Sequence, residues 1–467
     1  MTDQTQALFL PSPAVQPSRK WPELAAFLVV GYLGIGRAFA YLGLPWFSIY
    51  IGEMALAAFL MFGPRTKQGL WLCLAHRVPQ LKRFDWLVLL LLLYGGFEAL
   101  RGILQGYPAL TAVRDTAFNY YPLFFFLGVW VGLKDRDFLR RVVRTLAWFN
   151  GCYGLACVLF LSRIPWTMPG TADAPKPVLL FSEPSGASAI VLLGLIVLEP
   201  RLRKVWHLIA LNALVLLGLQ VRGEWVGFAV GVLVFAWLTK KFKQVAIAAS
   251  VIVILLGFMY VTHLSLQSPK GRGDNVGTGT RISADYLVAR AIAPLSQGLA
   301  ARLATPEDVS YAAGTAEWRL VWWAAIWEEV HARLSSALLG FGYGYPIGNL
   351  NPDIAAGTFI QTPHSDFFYA LAFSGWLGVT LFALLQIEIA RLLWRSNRIT
   401  GLPFGLMCWS AFLAMSMFED FFETPINAIP FFLLLGAAIA PALIARRRSS
   451  PNCRRAPLPG CPEAQPT

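Results

Sequence analysis

The sequence predicts an all-α integral membrane protein of about twelve transmembrane helices, interrupted by one long extracytoplasmic loop that carries amphipathic helices. Three observations point there. The 467 residues are 56% hydrophobic and only 14% charged, with a mean hydropathy of +0.55, too apolar for a soluble domain of this length. Apolar runs of roughly twenty residues recur, the length at which a helix satisfies its own backbone across a lipid core. Basic residues gather in alternate short connections between those runs, as cytoplasmic loops do.

The runs fall near residues 22–42, 45–62, 85–100, 116–133, 142–161, 185–199, 205–220, 224–239, 244–262, 366–390, 402–418 and 425–444. They divide the chain into a cytoplasmic tail at 1–21, nine spans within 22–262, a loop at 263–365, three spans within 366–445 and a basic cytoplasmic tail at 446–467. The first run has no convincing small-residue cleavage site after it and reads as an uncleaved span. Arg65, Lys67, Arg77, Lys82 and Arg83 would lie inside, as would Lys134, Arg136, Arg140, Arg141 and Arg144. Arg201, Arg203 and Lys204, then Lys240, Lys241 and Lys243, then Arg391, Arg395 and Arg398 repeat the pattern, and both termini are expected in the cytoplasm. The net charge of +13 is therefore a topology signal, and nucleic acid is not an expected partner; membrane lipids are.

The six cysteines lie in apolar runs, a basic loop or the basic tail, so neither a disulfide framework nor a zinc spacing is implied. Asp135-Arg136-Asp137 resembles a metal-binding carboxylate pair but sits among arginines on the cytoplasmic side, and reads as a solvated cluster. Gly271-Arg272-Gly273 with Gly277 lacks the strand and βαβ unit of a dinucleotide site. No metal or cofactor is expected.

The loop at 263–365 is where function is to be sought, because a long loop in a compact protein is usually functional. It is Gly-rich from Ser268 to Arg281, then reads as an amphipathic helix from Ile282 to Leu303 and a second helix from about Glu317 to Leu338. Trp318, Trp322, Trp323 and Trp327 on that second helix suit the headgroup layer, so it is expected along the membrane surface.

Four constellations can carry chemistry, the second made of two strings. Val221-Arg222-Gly223-Glu224-Trp225 places an arginine between two apolar runs on the outer side, as a snorkelling residue paired with Glu224 or as an anion clamp. Glu317-Trp318-Arg319 opens the loop helix, with Arg319 sharing a charged face with Glu317 or free for a ligand. Leu339-Gly340-Phe341-Gly342-Tyr343-Gly344 follows, its alternate glycines allowing close approach to a ligand or a neighbouring helix; it lacks the two-span unit of a potassium pore. Thr362-Pro363-His364-Ser365-Asp366 sets an imidazole at the outer rim, where it is either structural or a base toward a substrate hydroxyl. Glu183, in Phe181-Ser182-Glu183-Pro184-Ser185, can pair with Arg222, bind a sugar or complement a helix dipole.

These strings, in this order between about Phe181 and Ala390, resemble the O-antigen ligase and Wzy-type polymerase superfamily. The resemblance rests on Arg222-Gly223, Trp318-Arg319, the glycine string at 339–344, and His364-Ser365 ahead of Phe367-Phe368 and Ala372-Phe373-Ser374-Gly375. Val221 stands where a serine or threonine is common. The resemblance implies a GT-C-like architecture and a metal-independent, inverting glycosyltransferase in the bacterial inner membrane, acting on the periplasmic side. It implies an undecaprenyl-diphosphate-linked glycan donor and, as acceptor, lipid A core for a ligase or another lipid-linked glycan for a polymerase. Arg222, Arg319 and His364 take the catalytic roles by that likeness. Arg222, Arg319, Glu183 and Tyr343 are the candidate substrate contacts. One dominant outer loop favours the ligase layout, while Ser-Glu-Pro-Ser at 182–185 looks like a string of exopolysaccharide polymerases. The competing class is a transporter or lipid-linked glycan flippase, for which Glu53 and Glu98 would be midplane charges.

Overall fold

The computed structural model describes residues 20–40, 42–44, 49–62, 81–160, 183–267, 281–304, 306–351 and 362–449. The chain begins with α1 (Lys20–Val30), which continues through a π turn (Gly31–Ile35) into Arg37–Ala40, and then forms an antiparallel pair, β1 (Gly43–Leu44) with β2 (Ile49–Tyr50). Helices α2 (Ile51–Phe62), α3 (Lys82–Leu104), the broken α4 (Ala109–Lys134), α5 (Phe138–Phe160) and α6 (Glu183–Leu198) follow. After them come α7 (Trp206–Leu219), α8 (Arg222–Thr239) and α9 (Phe242–Val261). The loop contributes β3 (Leu266–Gln267) paired with β4 (Arg281–Ile282), then α10 (Ala284–Ile292), a turn at Gln297–Ala300, α11 (Pro306–His331) and α12 (Leu334–Leu339). The chain closes with α13 (Asp366–Thr400), α14 (Phe404–Ser416) and α15 (Pro425–Ser449).

Seven of these segments are long and apolar enough to cross a membrane: α3, α4, α5, α8, α9, α13 and α15. Four shorter apolar helices, α2, α6, α7 and α14, lie among them. The protein is thus a helical multi-pass membrane protein by length and composition. At its centre α4 and α15 pack with their backbones nearly touching, since a Cβ on Gly128 or Gly436 would overlap the carbonyl of Leu433 or Phe125. Small residues permit such approach where lipid supplies no hydrophobic drive between helices. Phe124, Phe125, Leu127, Phe431, Phe432 and Leu433 are fully buried along that seam. Helix α9 is the opposite case, with no buried side chain.

Several sequence expectations change. The run at 45–62 does not begin as helix: Ile49 and Tyr50 pair with Leu44 and Gly43, and the helix starts at Ile51. The loop helix expected from Ile282 to Leu303 stops at Ile292, because Pro294 cannot donate into the ladder and its ring crowds the preceding turn. The second loop helix already starts at Pro306, where a missing N–H costs nothing. Three of its four tryptophans turn toward the bundle. Trp322 is fully buried and donates to Ile347 O at 3.2 Å, Trp323 donates to Pro363 O at 2.7 Å and stacks on Phe368, and Trp318 meets the His364 ring edge-on. Each indole N–H that leaves water needs an acceptor, and the loop backbone supplies it. Only Trp327 is exposed.

The glycine string finds its approach partner in the helices. Gly375 has φ +57° and breaks the ladder inside α13. The carbonyls of Ala372, Phe373 and Ser374 then accept from Phe341 N at 2.7 Å, Gly342 N at 3.1 Å and the Tyr94 hydroxyl at 2.6 Å, so these three carbonyls at the kink find partners outside the helix. Arg101 on α3 pairs with Glu98 and donates to the carbonyls of Leu339 and Gly340, clamping the string from the other side. Glu53 accepts from the hydroxyls of Tyr120 at 3.0 Å and Tyr121 at 3.2 Å. Both carboxylates raised by the transporter reading therefore have protein partners.

Candidate active site

The chain turns sharply between α7 and α8. Gln220 takes φ +58° and Val221 is extended, which ends one helix and lets Arg222 begin the next. The Gln220 carbonyl accepts from Arg290 Nε at 3.2 Å, and Arg222 Nη1 donates to the Arg290 carbonyl at 3.4 Å. Arg290, on α10, is only 4% exposed and also reaches the Tyr286 hydroxyl at 3.4 Å. The loop helix thus locks the break that presents Arg222. Val221 supplies no side-chain cap, so the first N–H groups of α8 keep their positive field.

Arg319 comes from α11 and Glu419 from the connection between α14 and α15. Arg319 Nη2 lies 3.4 Å from Glu419 Oε1, while Arg319 Nε is buried without a hydrogen-bond partner. Glu419 packs against Gly223, with its Cγ 3.6 Å from where a Cβ would stand. Arg290, Arg319 and Glu419 all act electrostatically on Arg222. The Arg222–Glu224 pairing expected as the structural alternative is not what holds Glu224, whose carboxylate packs on Gly186 of α6. Glu317, the neighbour expected for Arg319, is exposed.

His364 precedes α13 with φ +50°, a left-handed conformation uncommon for a non-glycine residue. Its Nδ1 stands 3.1 Å from Asp420 Oδ2 and 3.7 Å from Glu419 Oε2. Burial opposes protonation of the ring, but the contact with Asp420 and the charges of Asp420 and Glu419 outweigh it and raise the His364 pKa. Burial would raise the Asp420 carboxyl in turn, yet contact with His364 and the hydroxyl of Thr362 at 2.6 Å hold it below its ordinary value. The acidic connection is fixed by Asp366, the first residue of α13, whose carboxylate accepts from Phe421 N at 3.3 Å and Phe422 N at 3.0 Å. Glu423, behind it, is pushed well up by burial and by Asp420, Asp366 and Asp115, which favours its neutral form.

Arg222, Arg319 and His364 therefore meet at one end of the bundle, bridged by Glu419. Tyr343 does not join them: it is fully buried, its hydroxyl donates to Asn119, and Ser374 lies 3.4 Å away. Glu183 opens α6, and its side chain lies outside the described residues, as does the whole of Ser182. Among the described residues no group of three or more His, Cys, Asp or Glu side chains is arranged to hold a metal ion. Asp135 pairs with Arg141, and the glycines at 271–277 lie outside the described residues.

Sequence reasoning passed over Arg290, Glu419 and Asp420. The signal for the acids was present in Phe418-Glu419-Asp420-Phe421-Phe422-Glu423, since carboxylates crowded between two apolar helices need partners. Arg290 carried no comparable signal, being one charge on a helix read as amphipathic.

The O-antigen ligase family model matches residues 207–383. A search of characterised proteins finds no match to the chain. The matched stretch contains the α7–α8 break, the three arginines, the glycine string and His364, and stops short of Glu419 and Asp420. Over that segment, less than half of its length, the chain resembles the O-antigen ligase family.

Proposed function

We propose that this protein is a membrane glycosyltransferase of the O-antigen ligase type, moving a glycan from a polyprenyl diphosphate carrier to an acceptor hydroxyl on the outer face of the bacterial inner membrane. The observation that carries the reading is the meeting of Arg222, Arg319 and His364 around Glu419 at one end of the bundle.

Cleaving a glycosyl–diphosphate bond leaves its electron pair on the diphosphate. Guanidinium groups fixed beforehand stabilise that growing charge more than the ground state. Arg222 stands at the uncapped N-terminus of α8, where the helix dipole adds to its field. The buried, unpartnered Nε of Arg319 offers a donor to a phosphate oxygen. In the same step the acceptor oxygen attacks the anomeric carbon from the opposite face, giving inversion, and its proton passes to His364. Asp420 beside Nδ1 orients the ring so that Nε2 takes that proton, and stabilises the imidazolium formed. No step requires a metal or a nucleotide sugar.

The acceptor separates two members of this class. A ligase delivers the finished glycan to lipid A core, and a polymerase delivers it to another lipid-linked repeat. A deletion strain that carries no polymer on its anchor marks the ligase, and one that carries single repeats marks the polymerase. In membranes supplied with donor and acceptor, His364→Ala and Arg222→Ala are each expected to lose transfer by roughly 10²–10⁴-fold while the protein still accumulates. Normal transfer by either variant would sink the assignment. Uptake of a lipid-linked glycan into vesicles without acceptor would favour the transporter class.

A further inference from the structure

At the bundle end away from Arg222 and Asp366, helices α8, α13 and α14 leave a groove of about 400 Å³, within the size of small-molecule sites. Val234 and Ile387 line its apolar part, and Trp237, Trp394 and Trp409 surround it, with Arg391 among them. Trp237 and Trp394 pack with ring centroids 5.4 Å apart, and Trp409 donates to Gln386 Oε1 at 3.1 Å. Arg391 pairs with the buried Glu388, which anchors its guanidinium at the wall.

The charge around the groove has a direction. Arg391, Trp394, Arg395 and Arg398 are spaced three, four and seven residues apart on α13, which puts them on one helix face. Arg395 and Arg398 are exposed beyond the indoles. Lys240 and Lys241 follow the last residue of α8, one turn beyond Trp237, Lys241 reaching back over the Phe235 ring at 5.6 Å. Along α8 and α13 an apolar slot at Val234 and Ile387, the indoles of Trp237 and Trp394 and a cationic rim follow one another, with Trp409 beside Gln386 at the level of the slot. That is the order of acyl chain, interface and phosphate in a lipid leaflet.

We infer that this groove binds an anionic phospholipid of the leaflet on the basic face, with one acyl chain in the slot and its phosphate against Arg395 and Arg398. Charge complementarity decides the occupant: a zwitterionic headgroup brings no net charge to the arginine stripe, and a second protein chain would have to bury those arginines. The site is separate from the Arg222–His364 cluster and does not depend on the reading given to it.

Native mass spectrometry of the full-length protein tests this, with retention of cardiolipin or phosphatidylglycerol compared against phosphatidylcholine. The wild type is expected to keep an anionic lipid selectively. The double variant Arg395→Gln, Arg398→Gln should lose retention by roughly fivefold per arginine. Ala390→Phe, which fills the groove from its wall without touching a charge, should lose it as well. Arg201→Gln with Arg203→Gln removes the same charge from the connection between α6 and α7 on the same face, and should leave retention unchanged. Equal retention of cardiolipin and phosphatidylcholine by the wild type overturns the inference. So does an equal loss in the Arg201, Arg203 control, which would show general surface attraction, or full retention by Ala390→Phe.

Discussion

Replacing Asp420 by asparagine keeps the side-chain shape and an oxygen that can accept from Thr362, whose hydroxyl lies 2.6 Å away, while it removes the charge 3.1 Å from His364 Nδ1. At an effective dielectric of about 20, two unit charges at that separation attract by about 5 kcal/mol before desolvation is counted. Ring burial works the other way, and the balance leaves the His364 pKa raised. Without the Asp420 charge, only Glu419 at 3.7 Å still opposes burial, so the ring pKa falls. A general base acts in its neutral form. Wild-type activity should therefore be lost, as pH falls, at a higher pH than an unperturbed imidazole would give, and Asp420→Asn should move that acid limb to lower pH. On the plateau the variant should be slower by roughly 10–100-fold, the usual cost of removing a group that orients another, because its imidazole is less basic and less well aimed. The assay is glycan transfer against pH in membranes normalised for protein content. A variant with the wild-type rate and an unmoved acid limb refutes the assignment of Asp420 as the residue that positions His364.

Tyr343→Phe removes a buried hydroxyl bonded to Asn119 and should cost about 1 kcal/mol of stability with transfer retained; loss of transfer at unchanged thermal stability would make Tyr343 a substrate contact after all. Gly102→Ala would drive a Cβ into the Tyr343 carbonyl and should lower the melting temperature in detergent, with overpacking costing about 1–3 kcal/mol. Gly96→Ala on the same helix meets nothing within 4 Å and serves as its control. If both alanines melt alike, the glycine string is not docked on α3 as described.

The membrane class and most helices were legible because lipid imposes a local rule: each span must satisfy its own backbone, so its length and apolarity are written in one stretch of sequence. The kink at Gly375 was not legible, since its freed carbonyls are satisfied by residues of the loop, Phe341 and Gly342. No window of sequence around Gly375 contains that pairing. The tryptophans of α11 were misplaced for a related reason. Their spacing says amphipathic helix, but whether an indole faces headgroups or a backbone carbonyl depends on where the chain next passes, and for Trp322 and Trp323 it passes at Ile347 and Pro363.

The same contrast separates the parts of the candidate site. Arg222, Arg319 and His364 could be picked out one by one, as charged or titratable groups beside apolar runs. What joins them could not, because Glu419 and Asp420 arrive from a connection about a hundred residues beyond Arg319 in the sequence. The joining acids also set the electrostatics. The guanidiniums of Arg222, Arg290 and Arg319 are held near one another, and each must pass through that arrangement on folding against its neighbours' repulsion. Glu419 lowers this cost by bridging Arg319 and His364, and Asp420 commits its charge to His364 and Thr362. Among the described residues, Arg290 and Arg319 repel the Arg222 guanidinium and Glu419 attracts it. A dianionic ligand set between those guanidiniums would relieve their mutual repulsion as it binds, which is the charge argument behind the proposed diphosphate donor.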